Sequence, residues 1–179
     1  MSSGNIFLVG MMGAGKTTLG KALAQRLDQE FVDTDRVLVE RTGVPVATIF
    51  EIEGEEGFRR RESAVLAEIA TRENCVIATG GGVVLAESNR RLMRESGTVV
   101  YLRARLENLW DRTRHDSTRP LLSTPNPRAK LAELLEARDP LYRDAAHVVV
   151  DTGSQSAATL VTRVVAALRG LEPAAGSGP

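Results

Sequence analysis

Short apolar runs and stretches of helical periodicity alternate along the whole chain. The run "NIFLVG" (5–10) predicts a buried strand, and Leu19, Leu23 and Leu27 then recur at i, i+4 and i+8, the stripe of an amphipathic helix. "EFVDTD" (30–35) predicts a second short strand ending in acids. Helical segments over 35–42 and 46–53 are separated by Gly43 and Pro45. A longer helix over 55–72 places Phe58, Val65, Leu66 and Ile69 on one side. "CVIA" (75–78) is a third strand, followed by "TGGG" (79–82). A helix over 87–95 leads into "TVVYL" (98–102), the fourth strand, and 105–114 is helical again. "HDSTRPLLSTPNP" (115–127) is polar, carries three prolines and reads as a loop. A helix over 128–138 should then break at Pro140. "HVVVD" (147–151) is the fifth strand, and a last helix over 156–171 gathers Leu160, Val161, Val164, Val165 and Leu168 on one face.

Strands that alternate with helices five times over predict an α/β fold, a three-layer αβα sandwich around a five-stranded parallel sheet. The strands are continuous apolar runs, as expected when helices cover both faces of a sheet. One domain over 1–171 accounts for the pattern, with no internal repeat and no linker. The final "EPAAGSGP" (172–179) lacks the apolar content to pack and is expected to be disordered.

Composition narrows the function classes. The formal net charge is zero, so no overall field holds nucleic acid or an anionic membrane, and any anion site must be local. No apolar stretch approaches the length of a membrane span, and the "MSSGN" start has no signal-peptide pattern. Cys75 is the single cysteine, which rules out an internal disulfide and suits a reducing cytoplasm. It begins an apolar strand and reads as core; His115 and His147 lack metal-ligand spacing. The basic residues are 20 arginines and 3 lysines, so an arginine gains meaning here only from its position.

Residues 10–17 read Gly-Met-Met-Gly-Ala-Gly-Lys-Thr, a complete G-x-x-x-x-G-K-[ST] between a strand and a helix. Glycines let backbone N–H groups turn toward an anion, and the helix that follows adds the positive end of its dipole. Lys16 is placed to reach the β- and γ-phosphates, and the Thr17 hydroxyl to ligate Mg²⁺. Asp33 and Asp35 follow the second strand, and strand C-termini line the crevice of a parallel sheet. One acid can hold Mg²⁺ through water while the other orients or deprotonates a hydroxyl; a helix N-cap explains either equally well. The third strand ends without an acid, which favours Asp33 as the metal-side carboxylate.

Three successive glycines past the third strand point to close backbone approach by a small ligand. Of Arg59, Arg60 and Arg61, which succeed one another around a helix, at most two can face the crevice. Arg119 sits in the proline-containing loop, where a lid over phosphates and an ordinary surface loop are both open readings.

Taken in order, "GMMGAGKTT", "DTD", "FRRRE", "TGGG", "RPLL" and "ARDPLYRDAA" resemble the shikimate kinase family over about 5–168. The resemblance implies the P-loop NTP hydrolase fold and transfer of a phosphoryl group from ATP to the 3-hydroxyl of shikimate, with Mg²⁺. It places the phosphate loop on Gly13, Ala14, Gly15, Lys16, Thr17 and Thr18, with the metal held by Thr17 and Asp33. It places the base on Asp35, substrate contacts on Asp35, Arg59, Gly81 and Arg138, and the lid arginine on Arg119 within a lid over 114–127. Arg112 and Gln155 match weaker positions on the adenine side. It further implies a cytoplasmic monomer whose partners are shikimate and ATP, with neither nucleic acid nor membrane. A carboxylated ring with three hydroxyls suits two guanidinium forks and a carboxylate. The rival readings are another small-molecule or nucleotide kinase on the same scaffold, and a nucleotide-binding protein that regulates a partner without phosphorylating anything.

Overall fold

The most apolar run of the chain becomes the centre of the sheet. In this computed structural model, which describes residues 4–171, β1 (Asn5–Val9) is buried along its whole length. It pairs in parallel with β3 (Cys75–Ala78) on one side and β4 (Gly97–Ala104) on the other, so that Phe7 lies opposite both Ile77 and Val99. β2 (Glu30–Asp33) flanks β3, and β5 (Val148–Thr152) flanks β4, giving the order β2-β3-β1-β4-β5. All pairings are parallel.

The strand order decides where the helices go. The step from β1 to β2 runs one way across the sheet and the steps β2–β3, β3–β4 and β4–β5 run the other. Right-handed crossovers therefore put α1 (Lys16–Leu27) on one face and the later crossover helices on the opposite face. α7 (Ala157–Arg169) returns to pack against α1, closing the first face with Leu160, Val161, Val164 and Val165. α4 (Glu87–Ser96) and α6 (Pro127–Ala145) pack together on the second face. Between β2 and β3 the chain makes α2 (Thr34–Thr42) and α3 (Val46–Ile69). Gly43 ends α2 in the left-handed region, and Pro45 caps α3. At Gly54 (φ 70°, ψ 179°) α3 bends, which separates the expected helical segments 46–53 and 55–72 within one span. α5 (Leu106–Thr113) precedes the proline-containing loop, which holds one 3₁₀ turn at Pro120–Leu122.

The expected break at Pro140 does not occur, and α6 runs straight through it. A proline there removes the N–H that would pair with the Glu136 carbonyl. Burial compensates: Leu131 and Arg138 before Pro140, and Tyr142 and Ala145 after it, are all buried. Tertiary packing on both sides outweighs the single lost bond. Cys75 lies in the core as expected, and His147 accepts a hydrogen bond from the Val99 N–H at 3.0 Å, extending the β4–β5 ladder. The tail expected at 172–179 lies outside the described residues.

Candidate active site

The loop from β1 to α1 sits at the C-terminal edge of the sheet, the edge where parallel sheets bind ligands. Gly15 (φ 92°) occupies the left-handed region at the start of α1, where a side chain would be strained. A Cβ on Gly10 would fall 2.6 Å from the Leu102 carbonyl of β4, so only glycine lets the loop turn so close to the sheet. Lys16 Nζ folds over the loop and donates to the carbonyls of Gly10 (2.6 Å) and Met11 (2.9 Å). Loss of water around it pushes the Lys16 pKa down to about 8, with Arg119 and Arg138 adding to the shift and Asp35 and Asp33 opposing it. A cavity of about 240 Å³ opens here, bordered by Gly13, Gly15, Lys16, Thr17 and Thr18 on the loop side. Ala14 is buried beneath them.

Asp33 serves two elements at once. Its Oδ1 caps α2, accepting from the N–H groups of Asp35 (3.0 Å) and Arg36 (3.3 Å). Its Oδ2 accepts from the Thr17 hydroxyl at 2.9 Å. One carboxylate thus caps α2 and meets the Thr17 hydroxyl at the same time. Two hard oxygens side by side at the mouth of a phosphate loop fit Mg²⁺, which takes most of its shell from water and phosphate. Asp35, two residues on, borders the same cavity. Burial raises its pKa, the Asp33 charge raises it further, and Lys16, Arg119 and Arg59 oppose. Its Oδ1 is buried without a hydrogen-bond partner.

Of the three glycines after β3, Gly80 and Gly82 make room for charged side chains, and Gly81 lies in contact with one. A Cβ on Gly80 would lie 2.5 Å from Glu62 Oε2 and 3.1 Å from Asp35 Oδ1. On Gly81 it would lie 3.4 Å from Arg138 Nη1, and on Gly82 it would overlap the Arg59 guanidinium. Thr34, buried at the start of α2, accepts from the Gly80 N–H at 3.2 Å and holds the loop in place. A second cavity of about 290 Å³ is bordered by Asp35, Arg59, Glu62, Arg138 and all three glycines. Val46, Phe50 and Phe58 supply apolar wall.

Arg138 is 3% exposed and makes no ion pair among the described residues, an unusual placement for a guanidinium. Arg59 Nη1 donates to Glu62 Oε1 at 2.9 Å, and its guanidinium lies over the Phe58 ring. Arg60 and Arg61 point away and pair at the surface with Glu56 and Glu53. Of the three successive arginines, Arg59 alone borders the cavity.

The proline-containing loop covers this second cavity with Thr118, Arg119, Pro120 and Leu121. Arg119 is half-buried, and its Nε donates to Asp116 Oδ2 at 2.9 Å. It borders both cavities, as do Met12, Asp35, Gly80 and Gly81, so the two spaces meet between Asp35 and Arg119. Arg112 bridges the Gly13 carbonyl (2.9 Å) and the Gly153 carbonyl (2.7 Å). Gln155 does not border the cavity at the β1–α1 loop; it lines a separate cleft with Gly153 and Asn108.

Two residues of the site were not singled out from sequence. Glu62 is 1% exposed, and burial raises its pKa while Arg59 opposes. Its signal was the i, i+3 spacing from Arg59 inside "FRRRE". Tyr142 is fully buried and donates its hydroxyl to the Gly81 carbonyl at 2.5 Å. Its i+4 spacing from Arg138 puts both on one face of α6.

The described chain matches the family model for shikimate kinase over residues 12–169. It is 59% identical to the shikimate kinase of Nitrosospira multiformis over 155 residues, 87% of this chain and 80% of that protein. It is 55% identical to the shikimate kinase of Burkholderia thailandensis over 161 residues, 90% of this chain and 88% of that one. Among solved structures, shikimate kinase from Acinetobacter baumannii in complex with shikimate superposes with a TM-score of 0.92 at 44% identity, covering 94% of each chain. A gluconokinase from Sinorhizobium meliloti shares the fold at a TM-score of 0.60 and 23% identity, covering 94% of this chain and 93% of that one.

Proposed function

The chain belongs to the shikimate kinase family, and from that membership we propose how its residues divide the reaction between them. The enzyme transfers the γ-phosphoryl group of ATP to the 3-hydroxyl of shikimate, giving shikimate 3-phosphate and ADP, a step of aromatic amino-acid biosynthesis. The observation that carries the residue assignment is the junction of the two cavities. The acceptor space, with Arg59 and Arg138, meets the phosphate space, with Lys16, between Asp35 and Arg119.

In this reading the backbone of Gly13, Ala14, Gly15, Lys16, Thr17 and Thr18 cradles the nucleotide phosphates. Arg112 and Gln155 flank the adenine. The carboxylate of shikimate lies against Arg59 and Arg138, two planar forks that fix its plane. Asp35 accepts the proton of the 3-hydroxyl as that oxygen attacks the γ-phosphorus and the bond to the β–γ bridging oxygen breaks. A raised pKa makes Asp35 a stronger base than an exposed carboxylate. Lys16 and Arg119 face the transferring group and offset the charge that develops on it. Thr17 and Asp33 hold Mg²⁺, which when bound neutralises phosphate charge. Residues 114–127 act as a lid that excludes water once both substrates are in place.

The proposed setting is the cytoplasm and the proposed working form a single-domain monomer, with no nucleic-acid partner; zero net charge supports the last point. No helix among the described residues is long and apolar enough to cross a membrane. The test offers shikimate, gluconate and nucleoside monophosphates separately with MgATP, and measures ADP release and the mass of the product. Shikimate alone should drive release, with one phosphoryl group added to it. Faster turnover of either other acceptor would overturn the assignment.

A further inference from the structure

We propose that Tyr142 is a positioning residue for the acceptor: its hydroxyl sets the one freely rotating peptide plane in the glycine loop, and so aims the Gly82 N–H. The inference rests on shikimate occupying the cavity beside Arg59 and Arg138.

The loop has three glycines and little else to define it. The Gly80 carbonyl accepts from the Val83 N–H (3.2 Å), and the Gly82 carbonyl accepts from the Leu85 N–H (3.1 Å), both within the turn that follows. The Gly81 carbonyl has no backbone partner among the described residues and is taken by the Tyr142 hydroxyl at 2.5 Å. A peptide unit is planar and trans, so its carbonyl and the N–H of the next residue point in opposite directions. Fixing the Gly81 carbonyl on α6 therefore fixes the Gly82 N–H pointing away from α6. Among the described residues neither the Gly81 nor the Gly82 N–H donates a hydrogen bond, and both residues border the acceptor cavity. Two glycines at one peptide rotate at little steric cost, so without the tether this plane has no other anchor.

Tyr142 is itself held firmly. Its ring stacks on Tyr101 with centroids 4.9 Å apart. That stack does not need the Tyr101 hydroxyl, which donates to Asp139 Oδ1 at 2.7 Å while Asp139 Oδ2 accepts from Arg143 Nε at 2.9 Å; neither bond involves Tyr142 or the glycine loop. One face of α6 thus carries both Arg138, which meets the acceptor directly, and the anchor for the opposing loop. Burial pushes the Tyr142 pKa up to about 12, with the Arg138 charge opposing, so the hydroxyl stays a donor throughout the working range.

The experiment compares intact enzyme with Tyr142→Phe and Tyr101→Phe. Each variant loses one buried hydroxyl from the same ring stack. Tyr142→Phe should raise the shikimate KM about tenfold, the loss of one well-placed hydrogen bond. Its ATP KM should hold within about twofold, and its melting temperature should fall no further than that of Tyr101→Phe. Tyr101→Phe should leave the shikimate KM within about twofold. An unchanged shikimate KM in Tyr142→Phe, or equal rises in both variants, overturns the tether while the shikimate reading stands. No shikimate-dependent ADP release by the intact enzyme overturns both.

Discussion

The Thr17 hydroxyl donates to Asp33 Oδ2 across 2.9 Å, joining the first turn of α1 to the end of β2. Because the other Asp33 oxygen caps α2, the two roles separate by mutation. Asp33→Asn keeps a good cap and loses the charge. It should melt close to the parent enzyme yet need about tenfold more Mg²⁺ for half-maximal rate. Asp33→Ala should show the same Mg²⁺ shift and in addition lose ~1 kcal/mol of stability. A magnesium titration of initial rates, run beside thermal melts, reads both effects.

Asp35→Ala should lower turnover by about 10²–10⁴-fold while nucleotide binding persists, as its proposed role on the acceptor requires. Calorimetric titration with ADP beside a steady-state assay makes the comparison. Near-normal turnover would remove Asp35 from its role as base.

Arg138→Ala should act mainly on the shikimate KM, raising it by roughly 10–100-fold, the usual cost of losing a charge-assisted fork. Arg138→Lys should recover only part of the loss, because an ammonium cannot present two parallel donors. A shikimate KM unchanged by either substitution would take Arg138 out of the acceptor site.

Gly82 has φ −95°, so alanine there meets no backbone strain. The added methyl collides instead with the far end of Arg59, a flexible group that can move aside. Gly82→Ala should therefore leave the melting temperature within a few degrees and raise the shikimate KM several-fold. A large loss of stability with an unchanged KM would contradict the idea that the glycine exists to admit Arg59.

Partial loss of water around the ring lowers the His147 pKa, and the Arg94 charge lowers it further. The folded state therefore binds a proton on His147 less readily than the unfolded chain. The associated stability is complete above the unfolded value of about 6.5 and declines as pH falls through the folded value. His147 is exposed, so the slope should be shallow. An asparagine side chain can offer an acceptor oxygen where the His147 Nδ1 now meets the Val99 N–H, so His147→Asn should flatten that part of the melting-temperature profile. An identical pH dependence in parent and variant would remove His147 from the effect.

The order of strands and helices was legible because each apolar run is long enough to cross the core and each is followed by a helical stripe. The phosphate loop was equally legible, since its chemistry fits into eight consecutive residues. Pro140 misled because local backbone preference is a weak force beside four buried side chains on one helix face. Glu62 and Tyr142 stayed hidden for a related reason. What marks them is the company they keep across 18 and 61 residues of sequence, with Gly80 and Gly81 respectively, and no local pattern encodes that distance.

Around Gly80, the carboxylates of Asp35 and Glu62 each keep one buried oxygen that nothing in the described chain satisfies. Such a pocket discriminates by what it leaves wanting. A ring that brings hydroxyl donors completes the polar shell, whereas a deoxygenated analogue of the same shape strands buried acceptors, a penalty that shape alone cannot impose. Discrimination between ring acids should therefore turn on how many hydroxyls reach these two carboxylates, more than on the outline of the ring.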